Sequence, residues 1–324
     1  MKIADFEVFC GNEQTSQWIL STAIGGKYLE RWKSTALTSW LSYGNKYDIG
    51  VAVATKDIFC GLQPSRNGAW QKMLLPTVFS NRLGRDIRCA LMDTDLFVSP
   101  LASNIFEAVP SGKIGVVSQE FGIPYDRKRL RSRIAFMRRE FMDKSFPLSS
   151  LLNASPTQVM RLANLQCKVE NYFCTGLVVL DSKLHGDTFE KWYVSAPIDR
   201  AYQSVGAWEE PWLNFCIQSS PDIHWLDYKW HALWLFEVAT YYPFLYSVQS
   251  DGDLSRWCFA SSLMRNNFLH LAGRWESSLL SEFSPTLPGL KRDFEDFCDR
   301  LVIEETASRF GTPRGSLLPP RSMK

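Results

Sequence analysis

Short apolar runs alternate with longer amphipathic stretches along this chain, and most runs end in glycine or acid. Trp18-Ile-Leu-Ser-Thr-Ala-Ile24 stops at Gly25-Gly26, the pattern of a strand entering a tight turn. Tyr28, Trp32, Leu37 and Trp40 then recur at helical spacings between Lys27 and Ser42. Ile49 to Ala54 reads as a second buried strand, and Ala69 to Phe79 as a helix that Pro76 should kink or end. Ile87 to Met92 is a third strand, running directly into Asp93-Thr94-Asp95, and Gly112 to Val117 is a fourth. A charged helix follows from Arg127 to Lys144, then a strand-like run from Tyr172 to Leu180. Glu210 to Gln218 and Lys229 to Val238 read as Trp-rich helices, Phe268 to Gly273 as a late strand and turn, and Leu290 to Glu305 as an amphipathic helix. Strands alternating with helices predict an α/β fold built on a mostly parallel central sheet. The boundaries expected are an N-terminal extension at 1–17, one domain over 18–280, a C-terminal helix within 281–310 and a disordered Pro/Gly/Ser-rich tail at 311–324.

Composition narrows the function classes. The 324 residues carry 36 basic and 34 acidic side chains, a net charge of +2, which argues against a nucleic-acid polymer as partner. An apolar share of 45% with 22% charged residues excludes a disordered chain. The first residues show no basic segment followed by a long apolar one, so no secretory signal is read. The most apolar later stretch, from His231 to Val248, is interrupted by Glu237 and Pro243 and reads as a buried helix rather than a bilayer span. Eight cysteines without any C-x-x-C pair give neither a zinc motif nor a disulfide framework by spacing. A reduced, cytoplasmic protein is expected. The unusual counts are 12 Trp, eight of them between Trp192 and Trp275, and only 4 His.

The candidate chemistry centres on Asp93-Thr94-Asp95. It follows a strand, and in open α/β sheets ligands bind at the C-terminal ends of strands. In extended backbone, side chains two apart face the same way, so both carboxylates can address one point. Two converged carboxylates repel unless a cation lies between them, and hard oxygen donors suit Mg²⁺ or Mn²⁺. A turn or helix cap is the competing reading of the same residues.

Three later segments extend the pattern: Tyr172-Phe-Cys-Thr-Gly176-Leu-Val-Val-Leu, Glu209-Glu210-Pro-Trp-Leu-Asn214 and Phe268-Leu-His270-Leu-Ala-Gly273. With Asp93-Thr94-Asp95 they resemble, in order, the D-x-D, Y-F-N-[AS]-G, D-Q-x-x-L-N and H-F-x-G segments of GT-A-fold glycosyltransferases. The likeness is to family 8, which includes glycogenin and the bacterial lipopolysaccharide galactosyl- and glucosyltransferases, or to a neighbouring family. It implies a Rossmann-like nucleotide-diphospho-sugar transferase domain, with residues 18–110 as the nucleotide-sugar half and 111–280 as the acceptor half. The implied reaction moves a sugar from a nucleotide-diphosphate sugar, a UDP-sugar being the expected donor, to a hydroxyl on a glycan, lipid-linked sugar or protein.

The same resemblance implies roles. Asp93, Asp95 and His270 would hold Mn²⁺ or Mg²⁺ against the diphosphate, with Thr94 between them. Ala23, Gly25 and Tyr28 would lie beside the nucleotide base. Lys72 and Arg274 are candidates for phosphate charge. The lysine that follows H-x-x-G in the family is absent, and Arg274, a bidentate phosphate partner, is the substitute. Thr175, Gly176 and Asn214 would surround the acceptor and the reacting sugar, and Trp208 and Trp212 would offer aromatic faces to sugar rings. If the reaction inverts, Glu209 or Glu210 is the general base; if it retains, they orient hydroxyls. The basic run from Arg127 to Arg139 suggests weak peripheral membrane contact beside a solvated helix face. Two alternatives stand: a haloacid-dehalogenase-type phosphatase with Asp93 as nucleophile, and a non-catalytic carbohydrate-binding module. The first lacks its later acidic pair, because Gly186-Asp187 is followed by Glu190-Lys191.

Overall fold

The computed structural model describes residues 5–58, 66–141, 152–197, 208–246, 252–272 and, apart from 294 and 297, 283–299. Its main sheet has seven strands: β1 (Phe6–Cys10), β2 (Gln17–Thr22), β3 (Gly50–Ala54), β4 (Arg88–Met92), β6 (Ile114–Val117), β7 (Leu177–Asp181) and β8 (Ile223–Leu226). Their order across the sheet is β1-β3-β2-β4-β7-β6-β8. Five of them, β3, β2, β4, β6 and β8, point one way, while β1 and β7 run against their neighbours. A smaller sheet, β5 (Leu96–Val98), β10 (Phe268–His270) and β9 (Ala232–Leu233), lies in the order β5-β10-β9.

Why these segments are strands is visible in their burial. Every residue of β3 and β7 is buried, because both faces of the sheet are covered. Alternate side chains therefore feed two separate cores. Ile19, Val51, Val53, Ala90, Met92, Leu177 and Val179 enter one, which also holds the small sheet and the helix Gly252–Arg265. Trp18, Leu20, Ala52, Cys89, Leu91, Val178 and Leu180 enter the other, packed on the helices Leu75–Leu83, Ser182–Ser195 and Glu210–Gln218. Gly50 is fixed by this packing, since a Cβ there would stand 2.2 Å from the Trp18 ring.

Four expectations are corrected. Of the expected extension at 1–17, the described residues 5–17 are not outside the domain, because β1 pairs with β3 at the sheet edge and Phe6 packs on Phe79 at 4.8 Å between ring centroids. The stretch from Lys27 to Ser42 is two helices, Gly26–Ser34 and Leu37–Tyr47, parted at Thr35, whose φ of −126° is not helical. Ala69 to Phe79 is not one α-helix: Gly68–Gln71 passes through a 3₁₀ turn, Lys72–Leu74, into a second helix, Leu75–Leu83, and Pro76 lies in the first turn of that second helix, just after the break. Lys229 to Val238 is not one helix either. A 3₁₀ turn, Tyr228–His231, passes into β9, and the helix starts at Trp234. Pairing with β10 overrides local helix preference there.

Candidate active site

The C-terminal ends of β2 and β4 share one edge of the sheet, since the two strands pair in parallel. Asp93 leaves β4 at that edge, and the chain turns at once: Leu96 N–H donates to the Asp93 carbonyl at 3.1 Å. The carboxylates therefore converge through a tight turn, not through the extended alternation expected from sequence. Trp40 Nε1 holds the turn's far side by donating to the Leu96 carbonyl at 2.7 Å. β10 then pairs antiparallel with β5, placing His270 opposite Leu96. His270 Nε2 lies 2.9 Å from Asp95 Oδ1 and 4.0 Å from Asp93 Oδ2. One ligand atom from each of Asp93, Asp95 and His270 falls within 4.8 Å of the others.

Lys72 is fully enclosed, where sequence suggested a phosphate contact or a solvated helix residue. Its ammonium donates to Asp93 Oδ1 at 2.8 Å and to the Thr175 carbonyl at 3.0 Å, and stands 2.8 Å from Glu209 Oε1. Three donors meet three acceptors, so no N–H remains for a phosphate. Burial alone would lower the Lys72 pKa, but the Asp93 and Glu209 charges outweigh it and hold it well above the ordinary lysine range. Glu209 is also buried, and Thr175 Oγ1 donates to its Oε1 at 2.7 Å. Burial would raise the Glu209 pKa, yet Lys72 and the Thr175 hydroxyl hold it below the usual carboxylate range. A carboxylate stabilised in this way is a poor proton acceptor.

His231, which no motif pointed to, and Cys174, which lies within the Tyr172–Gly176 segment but carried no assigned role, complete the enclosed side. His231 Nε2 lies 2.9 Å from His270 Nδ1, with the ring planes within 18° of parallel. Cys174 Sγ is 3.7 Å from the same nitrogen. Burial and the neighbouring His270 charge push the His231 pKa well below 6.5, so its ring is neutral and accepts. Burial opposes a charge on His270 too, but Asp95 overcomes it and raises that pKa well above 6.5. The result is a chain from Asp95 through His270 to His231, with His270 donating at both ends. A metal at Nε2 would replace one of those protons, leaving Nδ1–H on His231 to fix the ring. With both histidines neutral, Asp93, Asp95 and Glu209 against Lys72 leave two negative charges uncompensated, and the donor set of carboxylates and imidazole fits a divalent cation.

The remaining candidates divide. Ala23 is buried at the end of β2, Gly25 has φ of +99° before the helix Gly26–Ser34, and Tyr28 is exposed beside it. All three flank the edge that carries Asp93, while Thr94 is half-buried within the turn. Gly176 is required where it stands: its carbonyl accepts from Asp93 N–H at 2.9 Å, and a Cβ would press to 2.5 Å from the His270 ring. Asn214 is not at a surface. It is fully buried, and its amide brackets Phe173, accepting from N–H at 2.9 Å and donating to the carbonyl at 2.7 Å. That clamp aligns the Cys174-Thr175-Gly176 backbone. Trp212 is likewise a core residue, its Nε1 donating to the Trp192 carbonyl at 2.8 Å and its ring stacked on Phe215. Trp208 is exposed, and Glu210 is half-buried at the start of its helix. Arg274 lies outside the described residues.

A cleft of about 740 Å³ opens beside the edge strand β8, lined among others by Phe121, Asn171, Gln218 and Trp225 and not by the acidic pair. Trp225 is 37% exposed, an aromatic face that the run Ile223-His-Trp225-Leu gave no means of separating from core. The basic helix Arg127–Phe141 spends part of its charge internally, for Arg131 pairs with Glu120 at 2.6 Å and Arg133 lies over the Tyr246 ring. Among the described residues, no helix is long and apolar enough to cross a membrane.

Neither a family model nor a curated protein matches the sequence. Among solved structures, the chain is similar to a glycosyltransferase involved in glycosylation of the major capsid of PBCV-1, at 9% identity over 80% of this chain and 94% of that one, with a TM-score of 0.40. It is similar to the bifunctional glycosyltransferase WbbM at 12% identity over 80% of this chain and 46% of that one, TM-score 0.46. It is also similar to the galactosyltransferase LgtC, solved with donor and acceptor sugar analogs, at 10% identity over 86% of this chain and 94% of that one, TM-score 0.41.

Proposed function

We propose that this chain is a metal-dependent glycosyltransferase that moves a sugar from a nucleotide-diphosphate sugar to a hydroxyl acceptor. One observation carries the reading: Asp93 and Asp95 at the end of β4 meet His270 from a separate sheet, within ligand distance and with negative charge in excess. A divalent cation held there, Mn²⁺ or Mg²⁺, would bind the donor diphosphate and stabilise the charge that develops as the nucleotide leaves.

The protein's own residues divide the remaining work. Lys72 fixes one oxygen of Asp93 and leaves the other turned towards His270. Asn214 and Gly176 set the backbone on which that lysine and His270 rest. Ala23, Gly25 and Tyr28 border the adjoining edge, where the base of a UDP-sugar would lie. Glu209 is spent on Lys72, so Glu210 is the carboxylate assigned to the acceptor proton in an inverting reaction, with Trp208 nearby as the aromatic contact. The test is a panel of nucleotide sugars with Mn²⁺, read as nucleotide release and sugar transfer. Asp93→Ala and Asp95→Ala should each lower metal-dependent transfer by on the order of 100-fold or more. Full metal-dependent transfer in either variant would overturn the assignment.

A further inference from the structure

We propose that Cys174, His231 and His270 form a second metal site, soft and zinc-selective, which takes His270 through Nδ1 and so competes with the hard cation at Asp93 and Asp95. One ligand atom from each of the three residues lies within 4.8 Å of the others, and all three side chains are buried. Cys174 Sγ to His270 Nδ1 is 3.7 Å, and His231 Nε2 to the same nitrogen is 2.9 Å. A tetrahedral Zn²⁺ with bonds of about 2.3 Å to sulfur and about 2.0–2.1 Å to nitrogen holds S and N about 3.5 Å apart and two nitrogens about 3.3 Å apart. The measured separations bracket those values, and a small rotation of the His231 ring closes the difference. Three protein donors leave one position for solvent, the complement of an open zinc site. Binding would send two protons to solvent, one from the Cys174 thiol and one from His270 Nδ1, while His231 offers an already neutral imidazole.

The donor atoms select the ion. Thiolate and imidazole favour Zn²⁺, whereas Asp93 and Asp95 supply hard oxygens suited to Mn²⁺ or Mg²⁺. His270 faces both sets, with Nε2 towards Asp95 and Nδ1 towards His231 and Cys174. A neutral imidazole has one lone pair. When Nδ1 binds zinc, Nε2 keeps its proton and donates to Asp95, so the acidic site loses its nitrogen ligand. Zinc is therefore an inhibitor built from the site's own histidine. This competition, unlike the zinc site itself, rests on the proposed role of Asp93, Asp95 and His270.

The full chain, stripped with a chelator, is titrated with Co²⁺ as the optical stand-in for Zn²⁺, and Mn²⁺ binding is read separately as a thermal shift. The wild type should show a near-ultraviolet sulfur-to-cobalt charge-transfer band that Zn²⁺ displaces. Cys174→Ala, and Cys174→Ser should the alanine variant not fold, should lose the band and keep the Mn²⁺ shift. Asp93→Asn should do the reverse. Zn²⁺ at the one equivalent that displaces the cobalt band should raise the Mn²⁺ concentration needed for the half-maximal shift by roughly tenfold or more in wild type, since even an outer partner of a ligand is worth about 10–100-fold in affinity, and by clearly less in Cys174→Ser, where only direct competition at Asp93 and Asp95 remains. No sulfur band in wild type, or an equal band without Cys174, overturns the soft site. Both ions bound without mutual weakening overturns the sharing of His270. A missing Mn²⁺ shift beside an intact sulfur band would instead count against the proposed function alone.

Discussion

Asp93 and Asp95 stand two residues apart, yet their partners differ in kind. Asp93 is held by Lys72, a permanent cation sealed beneath it, and Asp95 by His270, whose charge is a proton that can leave. The lysine half is closed: every ammonium proton has an acceptor, and Glu209 is committed to it. The histidine half is open to exchange, because a metal ion can stand where the proton stood. Two acids in one tight turn thus divide into scaffold and socket.

The largest effect should come from breaking the closed half. Lys72→Met leaves the buried Glu209 and the half-buried Asp93 without their cation, and removing one partner of a buried pair costs about 3–5 kcal/mol. Urea unfolding should show that loss, and adding Glu209→Gln to the variant should recover part of it. A Lys72→Met protein as stable as wild type would mean that the lysine is not the scaffold of this half.

Much of this was visible in the sequence, and the missing parts share a cause. Strands β2, β3, β4, β6, β7 and β10 were legible because each is a short, mostly buried apolar run, so local hydrophobicity carries the signal; β1 and β8, half-exposed at the sheet's edges, and the very short β5 and β9 were not. Asp93 and Asp95 were legible because they end such a run. Lys72 was not, since a lone lysine in a helical stretch looks solvated until the two carboxylates that enclose it are brought in from elsewhere in the fold. His231 meets His270 across 39 residues and Cys174 meets it across 96, with no spacing motif to announce either. Trp212 and Asn214 mislead for the opposite reason. Residue type suggested sugar contact, whereas burial gives them to the core and to the Phe173 clamp.

A smaller effect should follow from loosening the open half without touching a carboxylate. His231→Leu removes the acceptor for His270 Nδ1–H, so the ring loses what fixes its orientation. Mn²⁺ affinity should fall by about 10–100-fold, the usual cost of losing a partner behind a ligand. His231→Gln keeps an acceptor oxygen and should restore part of it, with the thermal shift by Mn²⁺ as the measurement. Equal affinities in wild type and the leucine variant would show that Asp95 alone orients His270.

The smallest expected effect is a change of slope with pH, and it has opposite signs in the two halves. Glu209 is depressed below its ordinary 4.5 because Lys72 outweighs the effect of burial. Its contribution to stability is therefore full above 4.5 and lost as pH falls through its lower folded value. His270 is raised above 6.5 because Asp95 outweighs burial. Its contribution is full below 6.5 and lost as pH rises through its higher folded value. In metal-free protein, urea midpoints across this range should decline on both sides, at up to about 1.4 kcal/mol for each unit of pKa displacement. Glu209→Gln should blunt only the acid limb and His270→Gln only the alkaline one. Mn²⁺ should flatten the alkaline limb, since it replaces the His270 proton, and should leave the acid-limb effect of Glu209→Gln in place, since the Lys72–Glu209 pair is untouched. If both variants alter the same limb, the acids share one titrating network, and the division into scaffold and socket fails.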